Sequence, residues 1–168
     1  MFQWNKEKLR FMEDAAAWGD FHARLAAALA PYLPGDGHIC DAGCGTGHLS
    51  LALSPYVRQV TAVDVSGEAL GLLAENCRKR HMTNITIRRG DIAQLPPEEP
   101  YDAMVFCLFG GTDEILDIAA RQCGGTALVV RRDFRQHQFS SGVRMAGHTA
   151  ADMEQELRRR GLTCTLRR

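Results

Sequence analysis

His38-Ile39-Cys40-Asp41-Ala42-Gly43-Cys44-Gly45-Thr46-Gly47-His48 is the stretch on which the reading of this chain turns. The short apolar strand candidate His38 to Cys40 leads into a carboxylate, three glycines follow at every second position, and a helix candidate runs from His48 to about Ser54. Glycine is needed where the backbone takes positive φ or where a ligand must come close to the main chain. A helix starting just behind such a turn adds unpaired N–H groups. Strand, glycine turn and helix together make a cradle for a nucleotide-like ligand.

Spacing separates two kinds of cradle. The dinucleotide fingerprint G-x-G-x-x-G needs its third glycine where this chain has His48, so that match fails by one residue. The observed D-x-G-x-G-x-G, Asp41 to Gly47, resembles motif I of the class I S-adenosylmethionine-dependent methyltransferases. The plain alternative is a structural glycine loop in another α/β protein.

Composition sets the outer bounds. The chain of 168 residues fits one domain, 1–168, with a helical N-terminal segment over 1–34 and an α/β core over 35–168. A hydrophobic content of 45% and a charged content of 24% are ordinary for a globular protein. No apolar run approaches the length of a membrane span and the first residues lack a signal-peptide pattern, so a cytoplasmic protein is expected. The formal net charge of zero argues against a general electrostatic grip on nucleic acid. Arginines do gather at Arg131, Arg132 and Arg135 and again at Arg158, Arg159, Arg160, Arg167 and Arg168; these read as a strand end and a solvated helix face, with an RNA or phosphate patch as the alternative. Six cysteines include no C-x-x-C pair; Cys40 and Cys44 flank the glycine turn itself, so no metal site is expected.

Along the chain one unit repeats. Residues 6 to 30 carry apolar positions at helical spacing, stopped by Pro31 and Pro34, with Asp20 able to cap a second helix. Strands are expected at Val57 to Asp64, around Ile85 and Ile87, at Tyr101 to Leu108 and at Thr126 to Val130. Helices are expected from Ser66 to near His81, from a Thr112 cap to Cys123 with Gly124-Gly125 ending it, and from a capping box at Thr149 to Gly161. Leu162 to Leu166 reads as a sixth strand. Alternation of this kind gives a doubly wound, mainly parallel Rossmann-like sheet flanked by helices. The family's seventh, antiparallel strand has no counterpart in this reading: either the sequence stops short of it, or a smaller sheet stands with its edge covered by another chain, such as a second copy.

The resemblance spans roughly residues 38 to 130 and implies a site at the carboxyl ends of the strands. By that resemblance Asp41 holds the cofactor's amino group, directly or through water, and Gly43, Cys44, Gly45 and Gly47 bring the backbone against its methionine and ribose. Asp64 takes the ribose diol, with Val65 beside it. Asp91 takes the adenine amino group, Ile92 packs on the ring, and Cys107, Leu108 and Phe109 flank the methionine part. The implied activity is methyl transfer from S-adenosylmethionine, without a metal, to an acceptor most simply read as a small molecule. The alternatives are a non-catalytic S-adenosylmethionine-binding module and, behind it, an NAD-dependent oxidoreductase. Candidates for a catalytic base are His137, His148 and Asp133, with His22 in the N-terminal segment. Phe11, Trp18 and Phe21 either pack in the core or line the acceptor pocket.

Overall fold

A computed structural model describes residues 5–133 and 149–167. Five parallel strands form one sheet in the order β3-β2-β1-β4-β5: β1 His38–Ala42, β2 Gln59–Asp64, β3 Ile85–Arg89, β4 Tyr101–Cys107 and β5 Cys123–Val130. β1 is central, with β2 on one side and β4 on the other, so the winding direction reverses there. The helices are α1 Lys6–Trp18, α2 Phe21–Leu29, α3 His48–Leu53, α4 Gly67–Lys79, α5 Thr112–Gln122 and α6 Ala150–Arg159. The doubly wound, Rossmann-like architecture expected from the alternation is the one observed.

Two-residue periodicity divides the sheet into faces. Ile39, Val60, Ala103 and Val105 pack with Ala26 of α2 and with Leu49 and Leu53 of α3. Ala62 meets Leu70, Leu73 and Cys77 of α4 on the same side. Cys40, Ala42, Val63, Met104 and Phe106 face the other way, onto Ile115 and Ile118 of α5 and Met153 of α6. Burial on both faces explains the nearly continuous apolar run of β4, interrupted by the exposed Asp102.

Four expectations are corrected. Leu162 to Leu166 forms no strand and is largely exposed, because the β5 edge pairs with no further strand among the described residues. Gly124-Gly125 does not end α5 but lies inside β5. Tyr101 pairs with Cys123 and Ala103 with Thr126, so β5 carries one extra residue there, a β-bulge. A Cβ on Gly125 would lie 2.2 Å from the Asp102 carbonyl oxygen, which is why glycine stands at that point. The N-cap of α5 is Gly111 rather than Thr112; the Gly111 N–H donates to Glu114 Oε2 at 3.3 Å.

The fourth correction concerns the N-terminal segment. It splits at Gly19-Asp20, although the Asp20 side chain makes no cap hydrogen bond. No residue of α1 is buried, and Phe11, Trp18 and Phe21 are 69%, 96% and 59% exposed, so these aromatics are not core. One polar contact joins α1 to the start of α3: His48 Nε2 lies 2.8 Å from Glu13 Oε1.

Candidate functional site

The glycine turn is held from behind by β2. Gly43 and Cys44 both donate their N–H to the Val63 carbonyl, at 2.8 and 3.0 Å, and Gly47 closes the loop onto the Cys44 carbonyl at 2.9 Å. Gly43, Gly45 and Gly47 all sit at positive φ, between 56° and 74°. A Cβ on Gly43 would fall 2.3 Å from the Phe109 ring, so the turn and the end of β4 touch across the sheet. Glycine is required there on both counts.

Two carboxylates stand beside the turn. Asp64, at the end of β2, accepts from Gly45 N–H at 2.8 Å through one oxygen and from Ser66 N–H at 2.9 Å through the other. A carboxylate has about four acceptor sites, so this pairing leaves capacity for a ligand's hydroxyls. Asp41, the penultimate residue of β1, is 1% exposed and accepts from Ser50 Oγ of α3 at 2.5 Å. Burial raises its pKa to about 6, against the opposing Ser50 hydrogen bond, and the charge on Asp64 adds to the rise. The pair makes a negative, acceptor-rich centre.

Farther along the same edge, Asp91 caps a short 3₁₀ turn, Ile92–Gln94, taking the Ala93 N–H at 3.0 Å and the Gln94 side chain at 3.1 Å. Ile92 is only 3% exposed and packs inward beside Met104 and Phe106, so most of its surface is spent on the core. Val65 is 39% exposed at the end of β2. Cys107, ending β4, is partly buried, and burial together with the nearby Asp41 pushes its thiol up to about 12. Cys44 is pushed well above the ordinary thiol range by burial and by both carboxylates. Both stay protonated at neutral pH.

The structure thus brings Asp41, Asp64, Cys44, Cys107 and the three glycines to one place, and sets Asp91 and Val65 along the adjoining edge. His137, His148 and Arg135 lie outside the described residues. Asp133 is exposed just past β5. His22 stacks 5.3 Å from His48, and burial followed by the His48 charge lowers its pKa, which keeps it neutral. Among the described residues no group of three or more His, Cys, Asp or Glu is arranged to hold a metal ion, and no helix is long and apolar enough to cross a membrane.

Three contributors escaped the sequence reading. Ser50 partners Asp41 only because α3 folds back over β1, and no local signal announces it. The Glu13–His48 contact joins residues 35 apart. Arg131, read as a solvated strand end, lines an open cleft with Arg132, Leu108 and Gly110. Its position directly after β5 was the available signal, since strand ends form the site in such folds.

A family model described as "Methyltransferase domain" matches residues 39–125, from β1 through the start of β5. The chain belongs to the methyltransferase domain family. The resemblance carried by Asp41 to Gly47 is thereby borne out. A protein of Thermoplasma acidophilum named as a cobalt-precorrin-6B C(15)-methyltransferase (decarboxylating) is 34% identical over 87 residues, 49% of this chain and 42% of that protein. A 23S rRNA (uracil(1939)-C(5))-methyltransferase of Chromohalobacter salexigens is 33% identical over 81 residues, 47% of this chain and 17% of its own length. The chain therefore spans less than half the length of either relative. Among solved structures, a Methanococcus maripaludis protein described as an S-adenosyl-L-methionine-dependent methyltransferase superposes with a TM-score of 0.64 at 21% identity, over 77% of this chain and 66% of that one. That likeness establishes the fold.

Proposed function

We propose that this chain is a metal-independent S-adenosylmethionine-dependent methyltransferase acting on a small molecule. The observation that carries this reading is the placement of the Asp41 and Asp64 carboxylates around the Gly43–Gly47 turn. A negative centre with spare acceptor sites beside a close-approach backbone suits a ligand with a cationic end and a diol. When bound, S-adenosylmethionine supplies a methyl group already activated on a sulfonium sulfur.

The chain's own part is binding and alignment. Asp64 keeps lone pairs for the ribose hydroxyls while its bonds to Gly45 and Ser66 hold it still. Asp91 offers acceptors for the adenine amino group, and Val65 and Ile92 offer apolar surface for the ring. Cys44 and Cys107, kept as neutral thiols, do not compete as nucleophiles for the methyl group. Of the base candidates, His22 is held neutral in a half-buried setting, the form able to accept a proton. The two relatives act, by their names, on unlike acceptors, a corrinoid precursor and a ribosomal RNA base. The choice of a small molecule rests on the zero net charge and on the pairing of the C-terminal arginines: Arg158 with Glu154, Arg159 with Glu156, and Arg160 with Glu156 and Asp113.

Calorimetric titration with S-adenosylhomocysteine and with NAD tests the reading. Binding of the first and not the second is expected, and the reverse result would overturn it.

A further inference from the structure

We infer that the methyl acceptor carries an anionic group, a carboxylate or a phosphate, and that Arg131 seats it beside the carboxyl end of β4. The inference rests on the methyltransferase reading above and names the class of substrate.

The cleft between the ends of β4 and β5 has a volume of about 260 Å³ and is lined by Leu108, Gly110, Arg131 and Arg132. It lies just below the ~300–1,000 Å³ of pockets that enclose a whole drug-sized ligand, so it takes one end of an acceptor. Its floor position is fixed by the sheet: Leu108 N–H donates to the Val130 carbonyl at 3.0 Å, which puts Leu108 level with the residue that follows β5. Leu108 itself holds φ of +53° and Gly110 φ of +47°. A non-glycine residue in the left-handed region costs about 1 kcal/mol or more, and such strain gathers at ligand sites.

The charge of the cleft is the decisive feature. The arginines of α6 and its end are all satisfied by carboxylates within a turn or across to α5. Arg131 differs: no carboxylate among the described residues forms an ion pair with it. Its pKa is lowered first by burial and then by the neighbouring Arg132, while Glu114 acts in the opposite sense. Glu114 is occupied, since its Oε2 takes the Gly111 N–H and its carboxylate fills the space beside Gly110. Arg132 has interactions of its own and contributes its charge. A half-buried guanidinium crowded by a like charge is stabilised by an incoming anion, and its planar fork matches a carboxylate or phosphate edge with two parallel hydrogen bonds. Leu108 supplies apolar contact for the rest of the acceptor at the same rim.

The experiment is a set of calorimetric titrations of the full chain saturated with S-adenosylhomocysteine, using benzoate against benzamide and phenyl phosphate against phenol. At least one anion is expected to bind about tenfold or more tightly than its neutral partner, and the stronger of the two identifies carboxylate or phosphate as the group recognised. Arg131→Gln should abolish the preference without changing S-adenosylhomocysteine affinity, and Arg131→Lys should keep part of it, with retained S-adenosylhomocysteine binding showing that each variant is folded. Equal binding of neutral partners, a preference that survives Arg131→Gln, or no anion binding below about 10 mM would overturn the inference. So would tight binding of a short single-stranded RNA with none by the small anions. Failure of S-adenosylhomocysteine to bind the unaltered chain would instead strike the parent reading.

Discussion

The two halves of the strand-end edge are built differently. At the ends of β1 and β2, polar groups are spent on shape: Gly43 and Cys44 on Val63, Gly45 and Ser66 on Asp64, Ser50 on Asp41. Asp41 and Asp64 are 1% and 9% exposed. At the ends of β4 and β5, Leu108 is 55% exposed, Arg131 faces a cleft, and β5 is an edge strand. The first half is a mould made once; the second is open to whatever the rest of the site presents. A scaffold that keeps one ligand and changes the other needs this division.

The sharpest way to break the contrast is to crowd the mould. Gly43→Val places a β-branched side chain at φ +71°, against the Phe109 ring. A loss of about 4 kcal/mol is expected from backbone strain and overpacking together. Urea unfolding measures it, and a loss under about 1 kcal/mol would show a turn free to rearrange.

Next in size, and opposite in sign, is Asp41→Asn. The folded chain holds the Asp41 proton more tightly than the unfolded chain does, so the carboxyl costs stability as pH rises from about 4 to about 6 and the cost stays constant above that. A rise from 3.8 to about 6 corresponds to up to about 3 kcal/mol. The variant should therefore match the parent near pH 4 and exceed it near pH 7, by unfolding at both pH values. Identical differences at the two would mean that Asp41 is solvated rather than buried. Expected together with this gain is weaker S-adenosylhomocysteine binding, the exchange of stability for function that a retained buried charge implies.

Asp64→Ala strands the Gly45 N–H and removes the acceptor proposed for the ribose. S-adenosylhomocysteine affinity should fall by roughly 1 to 3 kcal/mol in calorimetry. Unchanged affinity would remove Asp64 from the ribose site. Smallest is Leu108→Gly in the open half, where relief of positive φ and loss of a half-exposed side chain nearly cancel. A change within about 0.5 kcal/mol is expected. A loss as large as that of Gly43→Val would erase the contrast.

The same division governs what the sequence disclosed. The mould was legible because its requirements are local: positive φ at alternate positions demands glycine, and in such sheets ligands bind beyond the carboxyl ends of the strands, where Asp41 and Asp64 stand. Ser50 was invisible because its role depends on how α3 lies over β1. Phe11 and Trp18 misled in one reading, since helical spacing of aromatics reports an apolar face and not what covers it. Leu162 to Leu166 has the composition of a strand, but a strand is defined by its partner, and none is present among the described residues. Gly124-Gly125 looked like a stop because paired glycines usually are one.

That pair has a further consequence. Side chains on a strand alternate, so an insertion or deletion of a single residue acts on a sheet as a frameshift acts on a message. The extra residue at Gly124-Gly125 sets the frame for everything downstream: Leu128 reads out onto the α2 and α3 side and Val129 onto the α5 side. Remove one glycine and Thr126 to Val130 would all be read on the wrong face, with Arg132 moving into the place of Arg131 and Arg131 into that of Val130. Which arginine is offered to the acceptor is thus written six to seven residues upstream of the earlier one, at Gly124-Gly125, where β5 enters the sheet.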